Sequence, residues 1–212
     1  MISVEAALGI IQKKTSNLKR HERIQVDKSL GRILAEDILA PIDLPPFRQS
    51  IMDGYAVHLH SDPTYSLNGE IKTGDDTWFD LKPGEAVRIF TGARVPDTAN
   101  AVVIQERVTV DKKRIHLEEN PTDGSQIRPI GAQIKKGALS LQKGFQLNPA
   151  AIGLLKSLGI SDILVSEKPK VSLLVTGNEL VETGFPLPEG KIYESNSSIM
   201  AAALQQKGIE LS

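Results

Sequence analysis

Leu44-Pro45-Pro46-Phe47-Arg48-Gln49-Ser50-Ile51-Met52-Asp53-Gly54-Tyr55-Ala56-Val57 is the most informative stretch of this chain. Its two prolines fix φ and push the residue before each toward extended backbone. A polar run follows, and then one carboxylate, Asp53, beside Gly54, where the chain can bend or be approached closely. Two readings stay open on these residues alone. Asp53-Gly54 is either turn chemistry ahead of a strand or a stiffened loop that presents a carboxylate.

Downstream, the text is β-rich to about residue 128. Ala86-Val87-Arg88-Ile89-Phe90, Ala101-Val102-Val103-Ile104 and Val108-Thr109-Val110 are short β-branched runs, and Asp111-Lys112-Lys113 ahead of 114–117 predicts a hairpin. Lys82-Pro83-Gly84 and Val95-Pro96-Asp97 supply turns between them, and a small barrel or sandwich is the expected closure.

Upstream, Val4, Leu8 and Ile11 recur at helical spacing behind Ser3, a candidate N-cap. A helical turn is expected at 29–33, leading into a strand over 34–40. Past Gln133, Lys136-Gly137 and Lys143-Gly144 read as tight turns. Asn148 then caps a helix with Pro149 at its first position, Ile152, Leu155 and Leu158 on its apolar face and Gly159 at its end. A strand over 162–165 and a linker at Glu167-Lys168-Pro169 follow. Lys170-Val171-Ser172-Leu173-Leu174-Val175 predicts a buried parallel strand feeding Thr176-Gly177-Asn178-Glu179, with a helix over 197–207 and another strand from Ile209. One βα unit cannot cover both faces of a parallel sheet, so the chain is expected to be a piece of a longer protein.

With 212 residues, two or more compact units are expected. A net charge of −1 without a long like-charged block argues against a general nucleic-acid binder. The absence of cysteine removes disulfides, thiolate metal sites and cysteine nucleophiles, and fits a reducing compartment. No signal-type segment opens the chain, and no apolar run approaches the roughly 18 residues of a membrane span. A soluble cytoplasmic protein is the expectation.

Four constellations carry candidate chemistry. Asp53 belongs to the first. The second is Arg88-Ile89-Phe90-Thr91-Gly92-Ala93-Arg94-Val95-Pro96, followed by 101–106, in which a strand delivers the Thr91 hydroxyl to a loop. The third is Ile127-Arg128-Pro129-Ile130-Gly131, where the Arg128 guanidinium either forks onto an oxyanion or makes a surface ion pair of small value. The fourth is Val175-Thr176-Gly177-Asn178-Glu179-Leu180 with Tyr193-Glu194-Ser195-Asn196-Ser197. Ligands of open α/β sheets bind beyond the carboxyl ends of strands. Ser195, Asn196 and Ser197 open a helix, where free N–H groups attract a phosphate, or are simple caps. Glu179 is either a carboxylate for a divalent metal or a solvated charge.

Taken in order, these motifs resemble the molybdopterin molybdenumtransferase family, which includes the MoeA proteins and the E-domain of gephyrin. The resemblance runs through residues 44–57, 88–106, 144–159, 169–180 and 190–197, and corresponds to the family's N-terminal half. It implies an enzyme of molybdenum cofactor biosynthesis that inserts molybdate into adenylylated molybdopterin and releases AMP with Mg2+. Asp53, Thr91 and Glu179 match the family's active-site residues, with Asp53 and Glu179 at the metal. Arg128, Ser195 and Asn196 match positions that bind substrate or anion. The implied fold is multidomain α+β and α/β. An N-terminal helix (1–19) packs with the α/β domain, a discontinuous linking domain spans 20–40 and 136–168, a β-rich domain projects over 41–135, and an incomplete α/β molybdopterin-binding domain begins at 169–212. A homodimer, and a molybdopterin adenylyltransferase as pathway partner, are implied as well.

The chain departs from the family's pattern in three places. Gln133 stands where an acidic residue is common, Arg48 where an aspartate is frequent, and Asn178 where an aspartate is common. The length is about half that of a full member, so this chain is expected to be inactive alone. The alternative is a non-catalytic scaffold, or a pterin- or nucleotide-binding module, of the same fold. Asp53, Thr91 and Glu179 favour the enzyme.

Overall fold

The computed structural model describes residues 2–14, 20–209 and 211. The expected segments 1–19 and 169–212 therefore fall partly outside the described residues, at 1, 15–19, 210 and 212. The chain divides into two compact units, one of residues 1–36, 143–153 and 161–212, the other of 37–142 and 154–160.

In chain order the first unit opens with helix α1 (Val4–Lys14) and strand β1 (His21–Gln25). Ser3 caps α1 as expected, its Oγ accepting from Ala6 N at 3.2 Å. Val4, Leu8 and Ile11 are all more than half exposed, so their shared face is unburied among the described residues. The expected helical turn at 29–33 lies earlier, as a 3-10 turn over Val26–Lys28. Ser29 ends that turn instead of starting one, because its buried hydroxyl donates back to Val26 O at 2.6 Å.

The second unit holds β2 (Ile38–Leu39), β3 (Gln49–Ser50), β4 (Gly54–Val57), β5 (Thr64–Ile71), β6 (Glu85–Ile89), β7 (Ala101–Ile104), β8 (Val108–Asp111), β9 (Arg114–Leu117), β10 (Ile127–Arg128) and β11 (Leu139–Leu141). Six of these form one sheet in the order β7-β4-β6-β5-β9-β8. Lys112 and Lys113 turn the predicted β8–β9 hairpin, with Val108 opposite Leu117 and Asp111 opposite Arg114. All four residues of β4 are buried because it lies between β6 and β7 and side chains pack on both its faces. Ala56, Val87, Ile89 and Val102 lie in one cluster with Leu81, Ala93, Val95 and Ala99 from the loops. Tyr55, Val57, Ala86 and Val103 lie in another with Tyr65, Ile115 and Leu117. Each large apolar side chain so buried contributes about 1.5–3 kcal/mol. The smaller pairs β3–β10 and β2–β11 are antiparallel, and Gly137 and Gly144 sit in the turns that flank β11.

Helix α2 (Pro149–Ser157) and strand β12 (Asp162–Ser166) follow. Asn148 Oδ1 accepts from Ala151 N at 2.9 Å, the N-cap that the sequence predicts. Gly159, at φ +75°, ends the helix and Ile160 N bonds back to Leu155 O at 3.0 Å. Asn148→Ala is expected to cost about 1 kcal/mol, read as a lower urea midpoint at unchanged slope. Strand β12 pairs with β1, from His21 opposite Ser166 to Gln25 opposite Asp162.

The last elements are β13 (Leu180–Val181), β14 (Ile192–Tyr193) and α3 (Asn196–Gln206), with β13 and β14 parallel. The buried strand expected at 170–175 does not form. Val171 makes one isolated parallel bridge to Leu211, and Leu174 is 91% exposed. A parallel strand needs neighbours along its length, and among the described residues only Leu211 bridges to this segment.

Candidate functional site

In the β-rich unit the site is built on β3. Ser50 N donates to Ala93 O at 3.0 Å, Gly92 N to Ser50 O at 2.9 Å, and Val95 N to Arg48 O at 2.9 Å. On the opposite side β10 pairs with β3, so that Ser50 faces Ile127 and Gln49 faces Arg128. The first three constellations thus meet along one short strand. Gln49 joins them, its Nε2 donating to Gly92 O at 3.1 Å while its Oε1 accepts from Arg128 Nη1 at 3.5 Å.

Asp53 and Thr91 are brought into direct contact. Asp53 Oδ1 accepts from both Thr91 N and Thr91 Oγ1, each at 2.7 Å. These two bonds, the hydroxyl's first, hold the Asp53 carboxyl below its ordinary value, with a smaller contribution from the Arg88 charge. Thr91 is itself held by the next loop, as Thr73 Oγ1 donates to Thr91 O at 2.8 Å. Asp53 O accepts from Gln105 N at 3.1 Å, which fixes the backbone that carries the carboxylate.

A depressed folded-state value means that the ionised form stabilises the fold. That contribution is present above the ordinary value of 3.8 and is lost as pH falls through the lowered one. Thr91→Val removes the hydroxyl donor, so the Asp53 titration is expected to move up toward 3.8, followed by carboxyl NMR. An unmoved titration would contradict the assigned cause.

Gly54 follows from packing. A Cβ on it would stand 1.9 Å from Val103 O and 2.8 Å from Val103 C on the neighbouring strand. The close-approach reading of Asp53-Gly54 therefore holds, and Gly54 is the first residue of a central strand.

The other candidates lie in the first unit. Glu179 is exposed, and its carboxylate folds over Gly177, where a Cβ would meet Oε1 at 2.8 Å and Oε2 at 2.9 Å. Lys191 Nζ donates to Asn178 O at 2.5 Å, and Ile192 N donates to Glu179 O at 2.9 Å, which ties this loop to β14. Ser195 precedes α3 but makes no side-chain cap bond, and Ser195 and Asn196 are exposed. The cap is Glu194, a residue the sequence reading did not single out. Its Oε1 accepts from Ser197 N at 2.8 Å, its Oε2 accepts from the Ser197 hydroxyl, and these bonds lower its pKa. Val175, Gly177, Thr183, Glu194 and Ser197 border a cleft of about 550 Å3 there.

Among the described residues no group of three or more His, Asp or Glu is assembled for a metal ion. Asp53 and Glu179 fall in different units, and each offers one hard carboxylate. Mg2+ is often held by one or two carboxylates, with water and substrate phosphate completing its shell, and each of these carboxylates by itself is a donor of that kind.

The described residues contain no helix long and apolar enough to cross a membrane. Residues 2–159 match the family model described as the MoeA N-terminal region, domains I and II. A molybdopterin molybdenumtransferase of Haemophilus influenzae is 39% identical over all of this chain and 53% of its own length. One from Staphylococcus epidermidis is 34% identical over 99% of this chain and 52% of its own. Crystal structures of a molybdopterin biosynthesis MoeA protein from Pyrococcus horikoshii cover the whole chain at TM-scores of 0.84 and 0.89, with 35% and 31% identity, over 56% and 59% of the solved chains. This chain spans about half the length of the curated relatives it matches.

Proposed function

We propose, on the premise that this chain belongs to the MoeA family, that it is part of an enzyme of molybdenum cofactor biosynthesis. The reaction is insertion of molybdate into adenylylated molybdopterin with release of AMP. The observation that carries this reading is the Asp53–Thr91 pair, a carboxylate held ionised in the bend that follows β3, the strand that pairs with Arg128.

In this reading Asp53 and Glu179 hold Mg2+, directly or through water. When bound, the ion neutralises phosphate charge during nucleotide release. Thr91 fixes Asp53, to whose carboxylate its backbone N–H and its hydroxyl both donate. Arg128, oriented by Gln49, pairs with an oxyanion through its fork of N–H donors. Ser195 and Asn196 bind the pterin phosphate beside the first turn of α3, where Glu194 already occupies the Ser197 donors. The working protein is cytoplasmic and a homodimer, supplied by a molybdopterin adenylyltransferase, with this chain's segments in the arrangement that the family resemblance implies.

The full-length protein, given adenylylated molybdopterin, molybdate and Mg2+, is expected to reconstitute a molybdenum-dependent apoenzyme. Reconstitution no better than in a molybdate-free control would count against the proposal. Glu179→Gln is expected to raise the Mg2+ concentration needed for half-maximal activity; an unchanged Mg2+ dependence would remove Glu179 from the metal.

A further inference from the structure

Arg88 stands opposite Tyr55 across the β4–β6 ladder, while Asp53 immediately precedes β4 and Phe90 immediately follows β6. Its guanidinium lies 4.9 Å from the Tyr55 ring centroid and 5.2 Å from that of Phe90. Two aromatic rings so placed hold the cation in one orientation. Its hydrogen-bond partner is neutral, the Oε1 of Gln105, whose backbone N–H bonds to Asp53 O. The nearest acidic candidate is already engaged. Glu70 lies in register with Arg88 on β5, yet its carboxylate pairs with Lys72 at 3.4 Å. Among the described residues no carboxylate forms a salt bridge with Arg88.

This cation borders a cleft of about 830 Å3, together with Tyr55, Asn68, Glu70 and the two lysines of the β8–β9 turn, Lys112 and Lys113. Both lysines are exposed, and Lys112 sits at φ +53°. Three cations face the cleft against one carboxylate that a fourth cation neutralises, so the cleft has a net positive field. An aligned guanidinium with flanking ammonium groups matches a tetrahedral, multiply charged oxyanion.

We infer that Arg88, with Lys112 and Lys113, forms a binding subsite for a phosphate-class oxyanion beside Asp53, where it holds a phosphoryl group of the nucleotide-bearing substrate. The oxyanion chemistry stands on the cleft alone; only the identity of the substrate rests on the proposed function.

The test is titration of this chain with AMP and, separately, inorganic phosphate at low ionic strength, followed by amide NMR. Both are expected to shift signals of β4, β6 and the 112–113 turn. Tighter binding of AMP would identify a nucleotide phosphate as the ligand, and equal affinities a bare oxyanion site. Arg88→Gln is expected to weaken AMP binding about tenfold, and Lys112→Ser with Lys113→Ser several-fold, with weaker salt dependence in both. The lysine variant alters only an exposed turn, so it decides the matter if Arg88→Gln fails to fold. Unchanged affinity in the lysine variant, or no binding of either ligand to the wild type, would overturn the inference. Reconstitution that fails in the full-length protein while these titrations succeed would count against the proposed function alone.

Discussion

Asp53→Asn is expected to lower turnover of the full-length enzyme about 100-fold or more while leaving the fold intact. The amide can keep one oxygen facing Thr91 N and Thr91 Oγ1, so both hydrogen bonds have an acceptor. What disappears is the negative charge, which those bonds and Arg88 serve to maintain. The hydrogen-bonded geometry depends on the acceptor and survives, with only the small stabilisation from the charge lost; a role toward a cation depends on the charge and does not. A steady-state assay beside a thermal melt separates the two. Near-normal turnover at normal stability would remove Asp53 from the reaction.

Gly54→Ala acts on the neighbouring position by a different mechanism. A methyl group 1.9 Å from Val103 O cannot be accommodated by a rotamer change, because the obstacle is backbone of a paired strand. Either β7 separates from β4 or β4 shifts, and both break a ladder inside the six-stranded sheet. A loss of about 3 kcal/mol is expected, at the upper end of overpacking costs. Urea denaturation measures it, and a cost below about 0.5 kcal/mol, the range of an ordinary surface substitution, would show that the sheet accommodates a side chain there.

The sequence discloses the β-rich unit unevenly, for physical reasons. The predicted strands at 101–104 and 114–117 match β7 and β9 residue for residue, since each is a short run bounded by turn residues. Strand β5 escapes notice because Asn68 and Gly69 interrupt it and its parallel pairing with β6 shifts register between Leu67 and Glu70. The segment 170–175 has the composition of a buried strand, but composition cannot supply the neighbours that make one.

The candidate site shows the same division. Asp53, Thr91 and Arg128 are recognisable from residue type and motif order, and the structure gathers their motifs along β3. Gln49 and Arg88 act through cross-strand register, and Gln105 from the turn that follows β7, which no local pattern encodes. For Glu194 a signal was present: a carboxylate three residues before Ser197 at the start of a helix is cap chemistry.

AMP release in a single turnover of the full-length protein, measured with and without molybdate at fixed Mg2+, decides whether molybdate insertion and nucleotide release are one reaction. About one equivalent of AMP is expected per adenylylated molybdopterin consumed, released only when molybdate is present and slowed by Asp53→Asn. Release at the same rate without molybdate, or none from intact substrate with it, would contradict the proposed reaction.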